Sequence, residues 1–264
     1  MGGRYDRRGS RTGLVLPILV FLIGLGLAAF ATRELWMGWR EYEVARSEYA
    51  DLRDSFTIQT NLWNPAPTET GPDTDPGAEP GAEPEPGGAP EADVDLAYFF
   101  AINPDFAGWI SIADTAVAYP IVQGQDNERY LHTTFRGQSN AAGTIFLDYR
   151  ARAGFDTPVA ILYGHNMQDG SMFAPLLDYR DPAFLEAHPD IRIMTAEGEF
   201  LTYRIFEVRY TDAWDSVYAL DFHDEAAAIQ YFQGAPAGAN QFLVLSTCVG
   251  ADPAARLVIL AARQ

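Results

Sequence analysis

QFLVLSTC (residues 241–248), VGADPAA (residues 249–255) and RLVIL (residues 256–260) read in turn as a buried strand, a loop and a second strand. The first segment is a short, nearly continuous apolar run with β-branched members, the pattern of a strand covered on both faces. Gly250 and Pro253 interrupt the run that follows, and the apolar pattern resumes at Arg256. Cys248, the only cysteine in the chain, therefore stands at a strand end beside a loop. One cysteine cannot form an internal disulfide, so it is a small buried hydrophobe, an intermolecular link or a reactive thiol. A structural thiol belongs inside the run, whereas one at its end can meet solvent and substrate.

Upstream, similar runs recur from residue 94 onward. Strands are predicted at 109–112, 117–122, 143–148, 159–163, 191–195, 201–210, 242–247 and 257–261. Eight short strands predict a closed or nearly closed, mostly antiparallel barrel. Helical segments are predicted at 173–179 and 182–187, before the fifth strand, and at 224–232 (DEAAAIQYF), between the sixth and seventh. The expected class is mainly β (α+β): an eight-stranded barrel with peripheral helices.

The N-terminal third is built differently. Residues 14–31 form an uncharged apolar run of 18, which as a helix spans about 27 Å, close to a bilayer core. Small residues near its end also fit a cleaved signal peptide, but the run exceeds the usual length of a signal's apolar region. Arg4, Arg7, Arg8 and Arg11 precede it, which orients residues 1–13 to the cytoplasm and exports the remainder. Residues 32–63 carry apolar and aromatic positions at helical spacing and are expected to form a juxtamembrane stalk. Residues 64–93 are rich in proline, glycine and acids and hold no base, so they cannot bury enough apolar surface to order themselves and read as a tether. The domain expected to carry the chemistry is 94–264.

The net charge of −18 excludes a basic footprint for nucleic acid. All basic residues are arginine, and the composition is rich in alanine and glycine, as in proteins of high-GC bacteria. No metal-ligand spacing is evident, although acidic loops leave calcium conceivable, and no cofactor is expected.

A nucleophilic thiol needs a base or cation to favour its thiolate. Of four histidines, His165 is best placed: it ends the run PVAILYGHN, where Gly164 allows close backbone approach. His132, His188 and His223 adjoin a helical turn, a proline and a helix start. Arg256 opens the last strand, where a guanidinium can donate to a developing oxyanion.

YGHNM (163–167), LSTC (245–248) and Arg256 together resemble the histidine, cysteine and arginine positions of sortases. INPDFAGWISIADTAVAYPIVQGQDNERYL (102–131) and GTIFLDYR (143–150) resemble class B sortases in particular, and the resemblance runs in order over 96–264. It implies a sortase-type barrel and a cysteine transpeptidase that cuts a sorting-signal peptide of secreted surface proteins. Cys248 would form a thioacyl intermediate, His165 would act as general acid and base, and Arg256 would stabilise the oxyanion. The acyl group would pass to a peptidoglycan amine or a pilin acceptor. Substrate contacts would fall to Ser246, Asn127, Leu131 and Tyr218. Val244 stands where many sortases have threonine, and Val249 and Gly250 lack the acid some class B members carry, so no third carboxylate is assigned. The implied setting is a single-pass protein of a Gram-positive cell membrane with its catalytic domain outside; the chain ends without a sorting signal, as an enzyme would. A cysteine peptidase using water, or a silent wall-binding domain, would share much of this pattern.

Overall fold

The computed structural model describes residues 12–59, 95–151, 154–250 and 252–264. The expected tether at 64–93 and most of the expected cytoplasmic segment at 1–13 lie outside them. The chain divides into two compact units, Met1–Val44 and Ala45–Gln264.

Helix α1 (Thr12–Gln59) supplies the described part of the first unit. Its large apolar residues from Ile18 to Phe30 are exposed, and it is the one helix, among the described residues, long and apolar enough to cross a membrane.

The second unit is a closed barrel of eight strands: β1 (Phe106–Ser111), β2 (Ala118–Val122), β3 (Ile145–Leu147), β4 (Val159–Tyr163), β5 (Asp190–Thr195), β6 (Phe200–Asp212), β7 (Phe242–Cys248) and β8 (Ala255–Arg263). Their order around the barrel is β1-β2-β3-β4-β7-β8-β6-β5. Each predicted strand is present, with ends displaced by a few residues. The pairing is mostly antiparallel, as expected; β2–β3 and β4–β7 are the two parallel pairs. Parallel neighbours require a crossover rather than a tight turn, and long excursions supply it. From Phe242 to Thr247 every residue of β7 is buried, as are Leu257 to Ala262 of β8, which explains their unbroken apolar runs.

Short helices pack outside the barrel. Helix α2 (Leu96–Ile102) is capped by the Asp95 carboxylate, which accepts from the Tyr98 N–H at 3.2 Å. This helix was not predicted: LAYFFAI is aromatic and apolar enough to pass for another strand, and tertiary packing overrides that local preference. The predicted segment 173–179 is a 3-10 helix at Ala174–Arg180, and α3 (Pro182–Ala187) follows with Asp181 as N-cap and Pro182 in the first turn. Helix α4 (Glu225–Tyr231) lies between β6 and β7, where it was expected; Phe232 at its end stacks on Phe242 of β7 at 4.4 Å.

Within the segment expected as a juxtamembrane helical stalk, residues 45–56 of α1 do more than extend the chain. Ala45, Tyr49, Leu52 and Phe56 are buried in the core of the second unit. Phe56 stacks on Trp109 of β1 with ring centroids 4.2 Å apart, and Phe99 of α2 packs beside both. These residues repeat every three or four positions, so one helical stripe covers an apolar face of the barrel.

Candidate active site

Two strands that run in the same direction end side by side. In the parallel β4–β7 pair Tyr163 lies opposite Ser246, and the Gly164 N–H donates to the Ser246 carbonyl at 3.2 Å. His165 and Cys248 are each two residues beyond that pair, so strand alternation returns both to the face shared by Tyr163 and Ser246. Strand β8 then runs back antiparallel, with Arg256 opposite Cys248. One histidine, one thiol and one guanidinium thus meet at a single rim of the barrel.

This rim opens into a cleft of about 330 Å³, lined by Cys248, His165 and Arg256 together with Ser246, Asn127, Leu131 and Tyr218. All seven residues singled out in the sequence therefore share one cavity. Cys248 is half-buried rather than sealed. Tyr163, Phe146, Gly164, Ala213 and Thr247 complete the lining. Tyr163, two residues before His165, could have been found from strand alternation; Gly164 and Thr247, one residue off that face, could not, nor could Ala213, which directly follows β6.

The local hydrogen bonds fix the reactive side chains. His165 Nε2 donates to the Leu131 carbonyl at 2.8 Å, because a carbonyl can only accept. Neutral His165 is thereby the Nε2–H tautomer, and Nδ1 is the nitrogen free to gain and lose a proton. The His165 carbonyl accepts from the Phe173 N–H at 2.9 Å, and Asn166 Nδ2 donates to the Cys248 carbonyl at 3.1 Å. The Thr247 hydroxyl donates to the Gly164 carbonyl at 2.8 Å. A Cβ on Gly164 would lie 2.7 to 2.8 Å from the Phe173 ring, which is why this position admits no larger residue. Arg256 Nη1 donates to the carbonyls of Pro253 and Ala255 at 2.6 and 3.0 Å, holding the guanidinium at the loop that follows Cys248.

The remaining histidines stand apart from the cleft lining. The His132 ring lies 6.3 Å from that of His165 but its residue is exposed. His188 packs against Phe184, and His223 is exposed. Among the described residues no cluster of potential metal ligands occurs.

Beneath the cleft lies Asp148, whose side chain is fully buried. Burial works to raise its carboxyl, but hydrogen bonds and charge from Arg150, with a bond from Tyr163, outweigh this and hold it below the usual carboxylate range. Burial pushes the Tyr163 phenol up, and the adjacent Asp148 charge pushes it further. Tyr218 is also raised by burial; its hydroxyl shares a 2.8 Å hydrogen bond with Ser246 Oγ.

The family model of the sortase domain matches residues 110–264. Sortase B of Listeria monocytogenes is 50% identical over 88 residues, which are 33% of this chain and 36% of that protein. The match to Listeria sortase B thus spans about a third of that relative's length. Sortase B of Staphylococcus aureus is 29% identical over 173 residues, 61% of this chain and 70% of the relative. The crystal structure of sortase B from Bacillus anthracis in complex with AAEK1 superposes with a TM-score of 0.65 at 26% identity, covering 85% of this chain and 98% of the other.

Proposed function

Because this chain belongs to the sortase family, with class B sortases as its relatives, we propose that it is a cysteine transpeptidase acting on sorting-signal peptides, with Cys248 as nucleophile. The observation that carries this reading is the register of β4, β7 and β8, which sets His165 and Arg256 on either side of Cys248 at one cleft.

The Cys248 thiolate attacks the carbonyl carbon of the scissile peptide bond, and Arg256 donates to the oxyanion that forms. As the C–N bond breaks, His165 Nδ1 gives its proton to the leaving amine, and a thioester remains. An incoming amine attacks the thioester, His165 takes the amine's proton, and the C–S bond breaks to return the thiolate. Ser246, Asn127, Leu131 and Tyr218 hold the peptide in the cleft. The acyl acceptor is an amine of the cell wall or of a pilin. Residues 14–31 hold the protein in the cell membrane with its N-terminus inside, and the barrel unit works outside.

Incubating the full chain in detergent micelles with a sorting-peptide library, with and without an amine acceptor, tests this. Cleavage with product joined to the amine is expected, and Cys248→Ala should abolish it. Cleavage that survives the substitution overturns the mechanism; release of acid alone, even with amine present, assigns a peptidase instead.

A further inference from the structure

We infer that Asp148 and Arg150 are positioning residues that clamp three walls of the cleft and thereby fix which groups it presents to a bound peptide; this rests on the peptide-binding reading above. Asp148 sits just past β3, between the turn that carries Asn127 and the strand that ends in Tyr163. Its Oδ1 accepts from the Arg150 N–H and Nε at 3.0 and 2.9 Å. Its Oδ2 accepts from Arg150 Nη2 at 2.7 Å, Asn127 Nδ2 at 3.0 Å and the Tyr163 hydroxyl at 2.9 Å. A carboxylate offers about four acceptor positions. Asp148 is therefore saturated by the protein and has nothing left for substrate, which excludes a catalytic role and leaves a structural one directed at its partners.

Those partners lie on different elements. Asn127 belongs to the segment between β2 and β3, and Tyr163 ends β4. Arg150 carries the connection onward: Nη1 donates to the Tyr218 carbonyl at 2.8 Å, and its guanidinium lies 4.4 Å from the Phe222 ring centroid. Tyr218 in turn meets Ser246 on β7. A buried carboxylate with a single ion-pair partner is weak evidence for stability, since desolvation offsets much of the Coulomb attraction. One that joins Asn127, Tyr163 and Tyr218, all of which line the cleft, has a second use.

The clamp also sets the chemistry of the walls. Asn127 Oδ1 accepts from the Tyr149 N–H at 3.1 Å while Nδ2 donates to Asp148. The orientation of the amide is thus fixed, and what remains for a ligand is one N–H, suited to a peptide carbonyl, and one lone pair of Oδ1. Tyr163 spends its hydroxyl proton on Asp148, so the cleft meets mainly the ring. Without the carboxylate, Asn127 is free to flip and Tyr163 to turn its hydroxyl into the cleft, and the match to peptide is lost while the thiol stays in place.

Labelling of Cys248 in the full chain by two electrophiles separates these effects. Iodoacetamide reports the thiol alone; an equimolar pool of N-acetyl tetrapeptide vinyl sulfones also requires the cleft. Asp148→Asn is expected to lower the vinyl sulfone rate about tenfold while the iodoacetamide rate stays within twofold. Arg150→Lys keeps the charge opposite Asp148 but cannot donate to both the carboxylate and the Tyr218 carbonyl, and should act in the same direction with a thermal midpoint close to the parent's. Unchanged vinyl sulfone labelling in either folded variant overturns the inference, as does a parallel fall in both rates or loss of folding in both variants. A parent chain that labels with iodoacetamide but shows no reaction with the peptide pool overturns the peptide-binding reading itself.

Discussion

Cys248 and Arg256 face each other as direct partners across the antiparallel β7–β8 pair, although seven residues separate them along the chain. Their separation is therefore set by the sheet and not by the loop between them. Arg256 is further held by the carbonyls of Pro253 and Ala255. Replacing it with alanine is expected to lower kcat for peptide cleavage by about 10²- to 10³-fold, the usual cost of an oxyanion donor. Lysine should recover little, because a single ammonium cannot keep both loop carbonyls and still reach the oxyanion. Steady-state kinetics on the three proteins would measure this, and near-parent kcat in the alanine variant would remove Arg256 from the mechanism.

Gly164→Ala should destabilise the barrel unit. The added Cβ meets the Phe173 ring at 2.7 to 2.8 Å, and Phe173 is fully buried. Overpacking of this kind costs about 1–3 kcal/mol. Thermal unfolding should show a midpoint lower by several degrees, with kcat falling as well because His165 follows directly.

Gly143→Ala is expected to act on the histidine from the opposite side. Gly143 has φ of 56°, and a Cβ there would lie 2.7 Å from the Leu131 carbonyl oxygen. That oxygen accepts the His165 Nε2 bond. Displacing it frees the ring to rotate, so kcat should fall even at temperatures where the variant is fully folded, which a shift in stability alone would not produce.

A fragment beginning at residue 96 should be much less stable than one beginning at residue 45. The shorter fragment lacks Tyr49, Leu52 and Phe56, each buried in the core, and each such side chain contributes about 1.5–3 kcal/mol. It also exposes Trp109 and Phe99 and leaves the Gly143 carbonyl without the Tyr49 hydroxyl. Urea midpoints of the two fragments would settle the comparison, with equal midpoints ruling out a structural part for the helix end.

Acid should weaken the Asp148 clamp. Burial works to raise the Asp148 carboxyl, but the hydrogen bonds and charge of Arg150 with the Tyr163 bond hold it below the usual carboxylate range, so its contribution is present above the unfolded value and is lost as pH falls through the folded one. In Asp148→Asn the steepness of the stability curve below about pH 4 should therefore diminish. Chemical denaturation at a series of acid pH values would reveal it; an unchanged acid limb would mean that Asp148 is equally protonated in both states.

The strands, the solitary Cys248 and the candidate partners His165 and Arg256 were all legible in the sequence. Apolar alternation, turn residues and strand-end positions are local properties, and the motifs around them are short. The candidate substrate contacts Ser246, Asn127, Leu131 and Tyr218 came from the resemblance, and each lines the cleft.

Tertiary structure alone decided three other matters. It made β4 and β7 parallel neighbours, which brings His165 beside Cys248 across more than eighty residues of chain. It drew Tyr49, Leu52 and Phe56 into the core, where their periodicity by itself announced only a helix. It joined Asp148 to Asn127, Tyr163 and, through Arg150, Tyr218, a set with no shared spacing. The physical reason is common to all three. Periodicity records which face of an element is apolar, whereas register and long-range hydrogen bonds depend on which faces meet once the chain has closed its loops.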